Sequence, residues 1–217
     1  MTDARPDIDE MWGQLQGRIG AVASPWLRQL LDSVVMGNAE RLRKWPAART
    51  VHHAYAGGLL EHILKVAEVG QSVAAAYGAD PDLVLAGAVL HDIGKLEELQ
   101  HDDEVTTYTR DGNLIGHITL GVMLVRKAAG AIPGFPSELR AHLEHLVVSH
   151  HGDRKLGSPV EPMTAEAFIL SAVDDLDATL HQVRRHLQQD GIEGAGEGEF
   201  TAYHTRLRRV LFRRGVR

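Results

Sequence analysis

Six side chains able to hold a cation, His62, His91, Asp92, His117, His150 and Asp174, follow one another at intervals of 29, 1, 25, 33 and 24 residues. Each long interval is about one helix and a connection. Groups so spaced do not meet within a local segment, but in a compact bundle each helix can aim one side chain at a shared point, as helical di-metal carboxylate proteins do. Imidazole and carboxylate together suit a divalent transition metal. The composition agrees: the chain has 13 histidines and no cysteine, which excludes thiolate ligation, disulfides and cysteine nucleophiles together. A single histidine in an apolar helix is ordinarily a hydrogen-bonded core residue. Six such groups embedded together would each carry a desolvation cost of roughly a few kcal/mol, which a cation removes. A fully connected buried polar network is the competing account.

The elements that must position these groups read as helices with one extended interruption. Residues 7–20 and 25–44 carry apolar positions at helical spacing, with Ser24-Pro25 as a helix start. Pro46 breaks the pattern, and a helix bearing His62 runs to Gly78, after which Asp80 caps the next one with Pro81 behind it. "DLVLAGAVLHDIGK" is apolar nearly all round, the pattern of a central helix surrounded by others. His91 and Asp92 end it about 100° apart, able to reach one ion from two sides or to set Asp92 as a bridge between two. "HDDEVTTYTRDGN", 101–113, predicts a short β-hairpin. His117 opens the following helix, His150 and His151 end "LEHLVVSHH", and Asp174 and Asp177 sit one turn apart in the last long helix. The expected fold is all-α and a single domain: packing helices over 1–50, a core over 51–190, a Gly/Glu-rich loop over 191–199, and a basic amphipathic helix over 200–217.

Bulk properties narrow the function. With 23 Lys plus Arg against 29 Asp plus Glu, the net charge of −6 argues against coating nucleic acid through general positive potential. The tail arginines, Arg206, Arg208, Arg209, Arg213 and Arg214, form one basic cluster, interleaved with Leu207, Val210, Leu211 and Phe212. No apolar run is long enough to span a bilayer, and "MTDARPDIDEMWGQ" lacks the order of a secretory signal, so a cytoplasmic location is expected.

The motif H…HD…H…H…D with "HDIGK" resembles the HD-domain superfamily of metal-dependent phosphohydrolases. More narrowly, "HHAYAGGLLEH", "LAGAVLHDIGK", "LIGHITLG", "LVVSHHG…GSP", "VDDLDA" and "FTAYHTRLRRVLFR" are similar to the HD domain of the YhaM-type 3′-to-5′ exoribonucleases, from about Leu27 to Arg214. The resemblance implies an HD-domain helical bundle and a metal at His62, His91, Asp92 and Asp174. It also implies a second ion held by His117 and His150, with Asp92 bridging. One or two ions are expected, and nitrogen and oxygen ligands favour manganese, iron, cobalt or nickel over zinc. The chemistry expected is attack of metal-activated water on a phosphoester, with Asp92, Lys95 and His151 as the catalytic set. Lys95, three residues after Asp92, would set an ammonium against the phosphate. His151 and His53 are candidates for protonating the leaving oxygen, holding the phosphate or orienting a ligand. Arg49, His53, Lys95, Gly157 and Ser158 form the expected substrate-binding set, and Asp177 is read as structural or supporting.

The YhaM-type enzymes carry an oligonucleotide-binding barrel ahead of the HD domain, whereas the fifty residues before "VHHAY" read here as helix. The first expectation is a phosphodiesterase acting on 3′ ends of short RNA or DNA. A nucleotide or small-phosphoester phosphohydrolase is the alternative, favoured by the negative charge and by aromatics at only 5%. The third is a regulatory module that binds metal without turnover, disfavoured because every expected ligand position is filled. The partner is a phosphoester, single-stranded nucleic acid or a nucleotide, with no membrane.

Overall fold

The computed structural model describes residues 7–48, 55–102, 105–193 and 198–213. The chain divides into two compact units, Met1–Asp174 and Asp175–Arg217.

In the first unit, α1 (Ile8–Gly20) and α2 (Pro25–Gly37) are capped by the side chains of Asp7 and Ser24. The expected helix over 25–44 is broken: Gly37 and Asn38 end α2, Asn38 turning its side-chain amide back to the Val34 carbonyl at 2.8 Å, and α3 (Ala39–Lys44) starts afresh. Next come α4 (Gly58–Tyr77) and α5 (Pro81–Leu90). Asp80 caps α5 as its sequence predicts, accepting from the backbone N–H groups of Asp82 and Leu83 at 2.9 and 3.1 Å. Every residue of α5 from Leu83 to Leu90 is buried, with α4 along its length and α2 and α9 (Ser137–Ser149) against it.

The helix α5 stops one residue short of His91. Residues 91–94 form a tight turn, with Ile93 N–H donating to Leu90 O and Lys95 N–H to Asp92 O, before the single turn α6 (Lys95–Glu98). The antiparallel hairpin β1 (Leu99–Asp102) and β2 (Val105–Tyr108) follows, registered from Leu99↔Tyr108 to Asp102↔Val105. It lies a few residues earlier than 101–113, because Thr109 caps a further short helix, α7 (Arg110–Leu114), and draws Asp111-Gly112 into it. Then α8 (His117–Gly130) pairs with α9, and a 3-10 turn (Arg154–Leu156) leads to α10 (Ala165–Glu193).

Two glycines set where α8 begins. Gly116 has φ 79° and ψ 155°, a region essentially closed to other residues, and His117 follows as the first helical residue. Gly94, in "HDIGK", lies against that same helix start: a Cβ there would fall on the His117 carbonyl oxygen and 2.6 Å from Gly121 N. The HD turn and the His117 helix thus touch backbone to backbone.

In the second unit, the described residues 198–213 are not the helix expected over 200–217. They form a bridged turn, with antiparallel pairs Phe200↔Phe212 and His204↔Arg209. Phe200, Thr201, Tyr203, Val210 and Phe212 favour extended pairing. Thr201 secures the pairing, its backbone N–H donating to Leu211 O and its hydroxyl accepting from Leu211 N–H, both at 2.9 Å. Asp190 anchors the turn, accepting from Ala202 N–H at 2.9 Å and from Arg213 Nε at 2.7 Å. Among the described residues no helix is long and apolar enough to cross a membrane.

Candidate metal centre

Five elements deliver the predicted groups to one place. His62 comes from the second turn of α4, His91 and Asp92 from the turn after α5, and His117 from the first residue of α8; His150 caps α9 and Asp174 lies on α10. His62, His91, Asp92 and His150 are all buried.

The Asp92 carboxylate stands at the middle. Its Oδ2 faces His62 Nε2 at 3.6 Å and His91 Nε2 at 3.4 Å, while its Oδ1 faces His117 Nε2 at 3.5 Å and His150 Nε2 at 3.7 Å. Asp174 joins the first cluster, its Oδ1 lying 3.1 Å from His62 Nε2 and 3.8 Å from His91 Nε2. The two histidine Nε2 atoms of that cluster are 3.1 Å apart. Among the described residues, two groups have the mutual spacing to hold an ion: His62, His91 and Asp92, and His117, His150 and His151.

The opposite ring nitrogens are held by fixed partners. His91 Nδ1–H donates to Ala88 O at 2.9 Å and His150 Nδ1–H to Val147 O at 2.7 Å, each three residues back along its own helix. His117 Nδ1–H donates to the Glu98 carboxylate at 3.1 Å, and the same Glu98 oxygen accepts the His117 backbone N–H at 2.9 Å. These contacts leave the Nε2 atoms to carry lone pairs. Burial, with His91 alongside, pushes the His150 imidazole well below its ordinary range against the pull of Asp92 and Asp174, so this ring is neutral at neutral pH.

Among the described residues, the buried Nε2 atoms of His117 and His150 have no hydrogen-bond partner. Both aim at a carboxylate oxygen, which is itself an acceptor. Acceptors converging on an acceptor in a dry interior are expensive, and a divalent cation is the species that satisfies them all. The donor set therefore fits a metal.

The carboxylates are ready to ligate. Burial raises the Asp92 carboxyl, but the Lys95 ammonium and His91 outweigh it and hold it well below its usual value. Asp174 is likewise lowered, burial being overcome by the hydrogen bond from His62 and by His91. Lys95 is buried, its Nζ 2.5 Å from Asp92 Oδ2.

The remaining expected residues distribute as follows. His151 lies beside the second cluster, its ring centroid 4.4 Å from that of His150 and 5.3 Å from that of His117, with Nδ1–H donating to Leu156 O. Gly157, at φ 105°, lies close enough to His151 that a Cβ would meet its Nδ1 at 3.5 Å, and the buried Ser158 hydroxyl has no hydrogen-bond partner among the described residues. Arg49 and His53 lie outside the described residues. Asp177 falls in the second unit.

Two positioning residues were missed from sequence. Glu98 orients His117; the available signal was a carboxylate three residues beyond Lys95, set between the core residues Leu96 and Leu99. Trp45 donates its indole N–H to Lys95 O at 3.0 Å, holding the end of the HD turn from outside, and Arg41 reaches Leu96 O beside it.

The HD domain profile matches residues 59–179, more than half of the chain and the whole stretch that bears the six groups. The chain belongs to the HD-domain family. It is an HD-type metal-dependent phosphohydrolase by that membership, and "HDIGK" is the turn that supplies its name-giving pair. The 3′-5′ exoribonuclease YhaM of Bacillus licheniformis is 37% identical over 182 residues, 83% of this chain and 57% of the relative. That of Bacillus pumilus is 36% identical over 193 residues, 88% of this chain and 59% of the relative, and that of Bacillus subtilis is 35% identical over 182 residues, 83% and 57%. The chain thus spans less than three fifths of the length of these relatives. No solved structure matches it.

Proposed function

We propose that this HD domain is a phosphodiesterase that removes nucleotides from 3′ ends of short RNA or DNA. His62, His91, Asp92 and Asp174 hold one divalent cation, and His117 and His150 hold a second with Asp92 shared. The observation that carries this reading is the pair of buried, unpartnered Nε2 atoms of His117 and His150 facing the Asp92 carboxylate. Nitrogen and oxygen donors without thiolate favour manganese, iron, cobalt or nickel. The relatives' shared description as 3′-5′ exoribonucleases supports a nucleic-acid substrate.

Bound cations would supply Lewis-acid polarisation of a phosphoryl oxygen and a water of lowered pKa. The residues do the rest. Ala88 O, Val147 O and Glu98 keep His91, His150 and His117 in the tautomer with Nε2 free. Lys95 balances the buried Asp92 and provides positive charge beside the phosphate position. His151, whose Nδ1–H is committed to Leu156 O, keeps a free Nε2 lone pair that can take the proton given up by the attacking water and return it to the leaving oxygen. Arg49, His53, Gly157 and Ser158 take the flanking phosphate.

Glu98→Gln tests the tautomer lock. Because one Glu98 oxygen accepts both His117 N–H groups, the amide oxygen of Gln can still take that place, but as a neutral and weaker acceptor that holds the proton on Nδ1 less firmly and lowers the basicity of Nε2. Manganese affinity, read by titration, is expected to fall modestly in Glu98→Gln and about 10- to 100-fold in Glu98→Leu, which has no acceptor, with the fold retained; wild-type affinity in Glu98→Leu would remove Glu98 from the account.

The substrate is tested with manganese-loaded protein given end-labelled single-stranded RNA, a 3′-nucleotide and bis-p-nitrophenyl phosphate. A ladder shortening from the 3′ end, with turnover of the generic diester, is expected. Phosphate release from the nucleotide with the RNA intact would overturn the choice of substrate.

A further inference from the structure

The second unit carries a surface that the metal centre does not use. Its bridged turn presents three large aromatic side chains to solvent, Phe200 at 48%, Tyr203 at 61% and Phe212 at 50% exposure. Phe200 and Phe212 face each other across the bridge, ring centroids 5.6 Å apart. Along the returning segment, exposed Val210 and Phe212 alternate with half-buried Leu211 and Arg213, so the apolar residues share the outer face. At the tip, beyond the aromatic pair, Arg206 and Arg208 lie inside the His204↔Arg209 bridge and Arg209 closes it, all three exposed. No carboxylate pairs with any of the three among the described residues, whereas Arg213 is tied to Asp190.

Arg208 adds a second kind of observation. It has φ 54°, the one left-handed non-glycine residue among those described. A tip in that conformation ordinarily takes Gly or Asn, and a long cationic side chain there costs backbone energy for no packing return. The chain as a whole is net negative, so three unpaired arginines beside exposed rings form a local reversal of its charge.

We propose that this arginine-aromatic turn is a binding surface for single-stranded nucleic acid. The guanidinium groups meet phosphates, and Phe200, Phe212 and Tyr203 offer flat faces on which unpaired bases stack, the combination that single-strand binders use without reading sequence. A duplex hides its base faces and lacks half of this match. The proposal rests on the phosphodiesterase reading for the nature of the polyanion, and it assigns strand retention to residues other than the ligand cluster.

Binding is read by fluorescence anisotropy of a fluorescein-labelled, phosphorothioate-linked uridine 12-mer on the manganese-loaded full chain, at several salt concentrations. Turnover of bis-p-nitrophenyl phosphate, which has no strand to hold, is followed in parallel. Arg206→Glu/Arg208→Glu/Arg209→Glu is expected to weaken binding at least tenfold and to flatten the log-log salt slope by about 2, near 0.7 for each phosphate that is no longer neutralised. Phe200→Ala/Phe212→Ala is expected to weaken single-strand binding about fivefold or more and to leave binding of a duplex of the same length unchanged. Arg208→Gly removes one cation at a position where glycine eases the turn; it is expected to keep or raise the Tm while the slope falls by about 0.7. Wild-type affinity and slope in the triple variant would overturn the proposal, as would altered sedimentation with unchanged oligonucleotide binding, which would make the face an interface between copies. Loss of diester turnover in the wild-type protein would instead count against the phosphodiesterase reading.

Discussion

Asp92→Ala is expected to leave a folded protein without bound metal and without phosphodiesterase activity, turnover falling by about three orders of magnitude or more. The reason is the carboxylate's position. Its Oδ2 stands 3.4 to 3.6 Å from His91 and His62, and its Oδ1 stands 3.5 to 3.7 Å from His117 and His150. Alanine leaves each cluster short of an anionic donor and leaves the buried Lys95 ammonium without its partner. The loss of pairing costs roughly 3 kcal/mol of stability in isolation. Part of it is returned because the acceptor nitrogens of His91, His117 and His150 no longer converge on a negative charge. Elemental analysis, diester turnover and thermal melting of the same preparation check the prediction. Activity near wild type would remove Asp92 from the chemistry.

Gly94→Ala is expected to be severely damaging although it adds a single methyl group. An added methyl group would fall on the His117 carbonyl oxygen and 2.6 Å from Gly121 N. Both neighbours are backbone, held in the first turn of a helix, so neither gives way as the end of a flexible side chain does. Relief requires α8 to move off the HD turn, and His117 is the first residue of α8. A destabilisation of about 3 kcal/mol or more is expected, in the range reserved for overpacking against an unyielding core. Protein that does fold should retain less than about a tenth of wild-type manganese affinity at the second cluster. Thermal melting and manganese titration check this, and a Tm indistinguishable from wild type would show that the contact is not tight.

Much of the site was legible because its residues break local rules. Histidines and aspartates in apolar helices are costly, and their recurrence at helix-plus-connection intervals points to one shared point. The Asp80-Pro81 start and the apolar run from Leu83 to Leu90 were equally plain, since capping and burial act through adjacent residues. What sequence did not reveal depends on contacts across the fold. Glu98 looks like any solvated residue at a helix end until Gly116 and Gly94 bring His117 to it. Lys95 looks free to meet a phosphate, yet it is paired with Asp92. The turn at 198–213 has leucines and arginines at helical spacing, but its aromatic and β-branched residues pair across a bridge anchored by Asp190, which is remote from the turn's tip in sequence.

The most direct test of the central claim is the metal content of the purified protein, counted by elemental analysis beside Asp92→Ala and a His117→Ala/His150→Ala variant. The account predicts about two divalent transition-metal ions per chain in the wild type, about one when His117 and His150 are replaced, and almost none without Asp92. A wild-type protein that holds no metal under any loading condition, or an Asp92→Ala variant with the full wild-type complement, would contradict it.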